Sequence, residues 1–563
     1  MGENSGMQST GARRALIARL DAQARAMPDR YRRQVLFLAL LGLAVMAFGV
    51  SVSLGISVGL VVALAAIKPI LLLQLAKLVW IPIGAGWLLL RALWVKFEVP
   101  AGRLLRAGEA PALVAEIERL REPSGAPALD GIVIDDDMNA AAASVPRAMG
   151  LLGSRHYLVL GLPLMQALEP DEFSAVVAHE FGHFSGRHGR VHGWIYHART
   201  SWYRVLDALQ QRQSWLLRPF MRFFDWYVPY FEAYSFVLAR RQEFEADAMA
   251  ARLVGAAPLA SALSRIELDA QRLAADFWPG VDRSIAVQAE PPANVQQAIA
   301  SMLRSEDPEA GDRLRAALSR APGLEDTHPT LAHRIDAVGI EAALPRAARD
   351  NAANALLGDL LPGLQAHFSD QWRAAIVEYW TKRHGEGRSE ADRLAELGGK
   401  AALSPEEEAE VALLSWSREP GEAAERALRE AAARCPGHAG VQWRLGEAML
   451  ARGADGATAH LWRALELDPT LGQPVLELLG PYYSDRGDND GSDRVDAALA
   501  AERSRQLRSQ RARSTAAAGD ALEPHGLAPA QVEAAKAAFR AHGNIKKAWL
   551  VRKTLPPELG AMP

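Results

Sequence analysis

Only one cysteine, Cys435, occurs in the 563 residues of this chain. An internal disulfide is therefore excluded, as is a thiolate cage, so any bound metal must be held by histidine and carboxylate. Excess charge of one sign is lacking as well. Against 66 Asp and Glu stand 63 Lys and Arg, a formal net charge of -3, and without a broad basic field nucleic acid is not an expected partner. Nor does the chain have the polar bias of a disordered one. Its 49% hydrophobic and 23% charged residues match globular composition, and its length leaves room for about three or four compact units.

Charge is absent altogether from Val35 to Ile67. As one helix this run would measure about 50 Å, beyond the ~30 Å hydrocarbon core of a bilayer, so a transmembrane hairpin is expected. The Ser51, Ser53, Gly55 and Ser57 cluster is the expected turn, with Lys68-Pro69 near the end of the second pass. The stretch from Ile70 to Trp94 reads as an interfacial helix or a third span. A leader peptide fits poorly, since the apolar block starts late and outruns a signal core, and the segment is expected to stay in the mature protein. Basic residues flank it on both sides: Arg13, Arg14, Arg19, Arg25, Arg30, Arg32 and Arg33 before, Lys96, Arg103 and Arg106 after. The positive-inside rule puts both flanks in the cytoplasm, which requires an even number of spans. The expected location is a bacterial-type inner or cell membrane, multi-pass, with the lipid bilayer as a partner.

Metal chemistry is concentrated in one helix. Pro170 suits a first helical position and Asp171 and Glu172 its first turn. Further along, His179 and His183 are four apart, so both imidazoles leave one face at the spacing a single zinc ion needs. Glu180 is offset around the helix, where a carboxylate reaches a metal-bound water without taking a ligand position, as the general base of an H-E-x-x-H peptidase does. For a third ligand, the extended pattern ending in histidine fails: Gly186 fits, but the last position is Gly189 and His188 comes one residue early. His188, His192 and His197 read as surface groups or as groups that contact the ligands from behind. The competing candidate is Glu243, with Asp247 four residues on and on the same face, placed to hydrogen-bond a ligand imidazole. Ala246 and Ala250 are small enough to let two metal-bearing helices approach closely.

These residues resemble the membrane-associated zinc metallopeptidases that include HtpX and the CAAX prenyl endopeptidases. The likeness rests on Ala178-His179-Glu180-Phe181-Gly182-His183, on the Arg-rich lead into Glu243 and Asp247, and on Asp326-Thr327-His328-Pro329 with Arg334. It covers about Val99 to Ile340, and Asn139-Ala140 looks like the short element that precedes the metal helix in such peptidases. The resemblance implies His179, His183 and Glu243 as ligands of one zinc ion, Glu180 as catalytic base and Asp247 as orienter. CAAX endopeptidases have many more membrane helices, and HtpX-like members often place membrane helices between the two zinc motifs. Here that interval, Trp215 to Ala239, holds ten aromatics but also Arg218, Arg222, Asp225 and Glu232, and reads as amphipathic helices on the catalytic unit or membrane surface. His328 is either a transition-state or regulatory group or a cap on the helix carrying Arg334.

Gly131-Ile132-Val133-Ile134 and Tyr157-Leu158-Val159-Leu160 read as strands, one of them an edge on which an extended substrate peptide could add. Asp135, Asp136 and Asp137 read as a solvated turn. Near the C-terminus, Leu445, Gly446, Met449, Arg452 and Gly453 recur after thirty-four positions as Leu479, Gly480, Tyr483, Arg486 and Gly487. Leu428, Ala431 and Pro436 likewise recur as Leu461, Ala464 and Pro469. That period resembles tetratricopeptide repeats, helix pairs suited to holding a protein partner or serving as a structural cap. Ala548-Trp549-Leu550-Val551 reads as a short strand or domain edge.

The expected fold is mainly α: a transmembrane helical hairpin, an α+β zincin-type peptidase domain with a small sheet, and C-terminal repeats. Expected boundaries are a basic cytoplasmic segment at 1–33, transmembrane or interfacial helices at 34–95, the peptidase domain at 96–345, a helical connector at 346–403, the repeats at 404–490 and a helical region without assigned role at 491–563. The expected activity is a zinc-dependent endopeptidase cleaving protein substrates, including membrane or misfolded proteins, at the cytoplasmic face. A zinc-containing scaffold with weak proteolysis and a prenyl-protein endopeptidase are the alternatives.

Overall fold

The computed structural model describes residues 10–68, 79–80, 82–84, 86–87, 99–146, 153–184, 218–320, 328–346, 350–514, 521–541, 547 and 551–554. His188, His192, His197, Asp326, Thr327 and most of 70–94 lie outside the described residues, as do 215–217 and 548–550. The chain divides into two compact units, Met1–Glu386 and Gly387–Pro563.

The first unit opens with two helices, α1 (Thr10–Ala26) and α2 (Pro28–Ile67). Here the expected turn is corrected: the Ser51 to Ser57 cluster lies inside α2, an unbroken helix of 40 residues. Two causes are visible. No proline follows Pro28 within it, and Ser57 Oγ donates to Ser53 O at 3.0 Å, satisfying the hydroxyl inside the helix. The chain reverses only after Lys68. Val79 O accepts from Ser57 Oγ at 3.3 Å, and Gly86 lies against Ser53, so the described pieces of 79–87 return antiparallel to α2.

A four-stranded sheet follows, built from β1 (Arg103–Leu104), β2 (Gly131–Asp135), β3 (Ala140–Pro146) and β4 (Ser154–Gly161) in the order β1-β2-β4-β3. β2 and β4 are parallel, with Val133 opposite Val159; β3 runs antiparallel to β4, with Ala142 opposite Leu158. Alternation assigns the faces. Ile134, Leu158 and Leu160 enter the main core, whereas Val133, Tyr157 and Val159 pack on the other side with Ala141, Ala143 and Val145. The two strands read from the sequence are thus paired with each other in the middle of the sheet. The outer strand beside the metal helix is β3, of which the sequence reading had only Asn139-Ala140.

The core also takes in α3 (Pro111–Ser124), through Leu113, Ile117 and Leu120, and α4 (Pro170–Phe184), through Phe173, Val177 and Phe181. After α4 come α5 (Arg218–Leu253), α6 (Ala256–Arg272), α7 (Leu331–Ala337), α8 (Ala352–Leu357) and α9 (Leu361–Gly398), with Ala352, Leu357, Leu364 and Phe368 closing the core. The aromatic interval is the first half of α5. Phe224, Tyr227, Phe231 and Val237 pack there on Ile17 and Leu20 of α1 and on Tyr31, Val35, Ala39 and Met46 of α2. With Gly42, these α2 positions recur every three or four residues up to Met46, and beyond it Leu54, Ile56, Val58 and Val62 are exposed.

The second unit stacks α10 (Pro405–Arg418), α11 (Glu422–Arg434), α12 (Ala439–Ala451), α13 (Ala457–Leu467), α14 (Gly472–Asp485) and α15 (Asn489–Ser514). The thirty-four-residue recurrence has a structural basis: Leu445 and Leu479 are both buried, and Gly453 and Gly487 both end helices at positive φ, 64° and 66°. Past α15, β5 (Leu522–Pro524) pairs antiparallel with β6 (Val551–Lys553).

Candidate metal centre

α4 is pinned at its N-terminus before it presents any ligand. The buried Glu172 carboxylate accepts from Glu169 N at 2.9 Å, and from Arg265 Nε on α6 at 2.7 Å. Burial of Phe173, Val177 and Phe181 then fixes the helical phase, which turns His179 and His183 toward α5. The two helices meet closely at Gly182: a Cβ there would stand 2.7 Å from Ala246 Cα. The small residue on each side is what allows the candidate ligands to converge.

Convergence is tight. His179 Nε2 and His183 Nε2 lie 3.2 Å apart, His179 Nε2 lies 3.6 Å from Glu243 Oε2, and His183 Nε2 lies 3.5 Å from Glu243 Oε1. Ligand atoms placed 2.0–2.1 Å from a four-coordinate zinc are roughly 3.3 Å from one another, so this donor set of two imidazoles and a carboxylate fits such an ion in both spacing and chemistry. Glu180 joins the histidines, with ligand-type atoms of His179, Glu180 and His183 all within 4.8 Å of one another.

Around the donors lies a second layer of polar contacts. Asp247, fully buried, places Oδ1 2.9 Å from His179 Nδ1. Arg334 of α7 grips the same carboxylate with two donors, Nη2 to Oδ1 at 2.6 Å and Nε to Oδ2 at 2.8 Å. Burial alone would raise the Asp247 pKa, but the hydrogen bonds from Arg334 and His179 outweigh it and hold the group at about 2. Glu243 behaves alike: burial opposes ionisation, while the hydrogen bond with His328 and the charges of His179 and His328 bring it to about 2. His328 Nδ1 sits 2.8 Å from Glu243 Oε2, and that bond raises the pKa of the imidazole. Capping of α7 falls to Thr330, whose side chain accepts from His333 N. The capping alternative for His328 is thereby corrected.

Glu180 differs from both other carboxylates, because burial dominates and raises its pKa. Its Oε2 accepts from Ala142 N at 2.9 Å, tying it to β3. The pairing of Gly161 N with Asn139 O fixes the parity of that strand, so Ala140, Ala142 and Ser144 carry their N–H and C=O on the side away from β4.

All six candidate residues, His179, Glu180, His183, Glu243, Asp247 and His328, are therefore gathered at one place. Sequence reasoning gave no role to Arg334 or to the Ala142 amide. Arg334 carried a signal in its position after Thr-His-Pro, but its partner Asp247 is 87 residues away. A backbone amide carries none.

No curated protein and no solved structure matches the chain. Residues 108–341 match the model of Peptidase family M48. The matched stretch contains the whole constellation and leaves out α1, α2 and everything beyond 341. Over this stretch the chain is similar to a family of zinc metallopeptidases, and the match supports a metallopeptidase function for the domain that carries the site.

Proposed function

We propose that the chain is a membrane-anchored zinc metalloendopeptidase that hydrolyses peptide bonds of protein substrates, membrane or misfolded proteins among them. The convergence of His179, His183 and Glu243 at 3.2 to 3.6 Å, with Glu180 beside them and outside the ligand positions, carries this reading. These three residues would hold one zinc ion, which when bound polarises water and carbonyl groups and brings the pKa of a coordinated water toward 7.

Proton transfer falls to Glu180. With Oε2 engaged by the Ala142 amide, Oε1 is the oxygen that accepts the proton of the attacking water and returns it to the leaving amine. Burial raises its proton affinity above that of an ordinary carboxylate, which suits a group that must be base first and acid second. Asp247 and Arg334 hold the His179 ring in one orientation. On the side of β3 away from β4 the main-chain groups of Ala140 and Ser144 have no backbone partner among the described residues, so an extended peptide adding there would be positioned with little regard for its side chains.

The anchor reading is supported by the exposed apolar side chains of α2 and by the basic residues on either flank, which favour a cytoplasmic catalytic domain and an even number of crossings. The helix pairs of the second unit would recruit a protein partner or substrate as tetratricopeptide-like repeats. Glu180→Gln is the decisive variant. Zinc content measured by metal analysis is expected to remain, while cleavage of an unfolded substrate such as casein falls by at least about 100-fold. Undiminished cleavage would overturn the mechanism.

A further inference from the structure

Near the start of α2 lies a cavity that peptide hydrolysis leaves unused. Its volume is about 300 Å³, and its walls include Arg30, Arg33, Phe37 and Leu38 of α2 with Tyr230 and Tyr234 of α5. Arg30 and Arg33, three apart, share one helix face. Both are exposed, and among the described residues neither has an acidic partner; Arg30 Nη1 lies 3.9 Å from Met27 Sδ. Their neighbour Arg32 is different, since its Nη2 is committed to Glu245 at 2.5 Å. The Tyr230 and Tyr234 hydroxyls, 3.1 Å apart, add hydrogen-bonding groups to the same wall. At the other end Phe37 is 65% exposed, within the uncharged run that begins at Val35. A cationic wall thus passes directly into an apolar one, the layout of a site for an amphiphile with an anionic head.

We propose that this cavity binds the phosphate headgroup of an anionic phospholipid, with Arg30 and Arg33 on the phosphate and the first acyl methylenes along Phe37 and Leu38. A soluble phosphate ester shares the headgroup chemistry but makes no use of Phe37. The inference rests on α2 being the anchor, yet its test does not require α2 to cross a bilayer.

The full chain, purified in a non-ionic detergent, is titrated with phosphatidylglycerol, phosphatidylcholine and glycerol 3-phosphate, and retained lipid is read by native mass spectrometry. Phosphatidylglycerol is expected to bind in preference to the other two. The double variant Arg30→Gln with Arg33→Gln should weaken it on the order of tenfold or more. Phe37→Ser, at a solvent-facing side chain, should weaken it as well, whereas Arg13→Gln with Arg14→Gln, which removes the same charge, should not. Equal binding of phosphatidylcholine, no loss in either cavity variant, an equal loss in the control, or glycerol 3-phosphate binding as tightly as the lipid would each overturn the proposal. If lipid selectivity is absent while the protein still resists alkaline extraction from membranes, the anchor reading survives and this inference does not.

Discussion

The carboxylates of the site divide by what surrounds them. Glu243 and Asp247 are buried but held at about 2 by imidazole and guanidinium partners, whereas Glu180 is half-buried, has a backbone amide on one oxygen, and has its pKa raised by desolvation. Neighbours separate the proposed ligand, orienter and base more surely than residue type does. A test follows from the pair Asp247 and Arg334. Asp247→Asn keeps the shape of the side chain but removes the charge that Arg334 grips with two donors, and zinc affinity measured by chelator competition should fall about 10- to 100-fold. Arg334→Gln should act in the same direction, and Arg334→Lys, which keeps the charge but loses the two-pronged grip, should fall between. Unchanged affinity in both Asp247→Asn and Arg334→Gln would remove the orienting role.

Elements were legible where a rare residue type coincided with a period. The phase of α4 followed from His179 and His183 among apolar positions, and the helical ligand pair followed with it. β3 was illegible because Ala140 to Ala143 is a run of strong helix formers, and only pairing with β4 and the amide contact to Glu180 make it a strand. The turn in the apolar run was misplaced for a related reason. Serine and glycine suggest a break, but serine bonding to the carbonyl one turn back removes the need for one. The position of the reversal can be measured. In a variant with Cys435→Ser, the pair Ser53→Cys and Gly86→Cys should form a disulfide on oxidation, because a Cβ at Gly86 would lie 3.2 Å from Ser53 Cβ. No cross-link under oxidation would return the turn to the serine cluster.

For the whole molecule, the separation between what the family match covers and what it omits is informative. The match begins at residue 108, yet the aromatic half of α5, inside it, is buried against α1 and α2, outside it. Those two helices are therefore part of the folded unit as well as the proposed anchor. The protein is expected to stay with the membrane fraction through alkaline carbonate extraction, and its release as a soluble species would sink the anchor. Composition made a globular chain with one long apolar stretch readable, but the contact of that stretch with α5 was not, since Tyr31 and Tyr234 are brought together across more than two hundred residues.

α5 runs from Arg218 to Leu253 with Pro229 inside it, and past that proline the tyrosine stacked on α2 and Glu243 are two points on one stretch of helix, about 14 Å apart. Were α2 held in a bilayer as proposed, a lean of that helix would be felt along this stretch of α5. On the proposed reading of α2 as anchor, the lipid beside that helix and the place where His179, His183 and Glu243 converge would be joined through one short piece of helix.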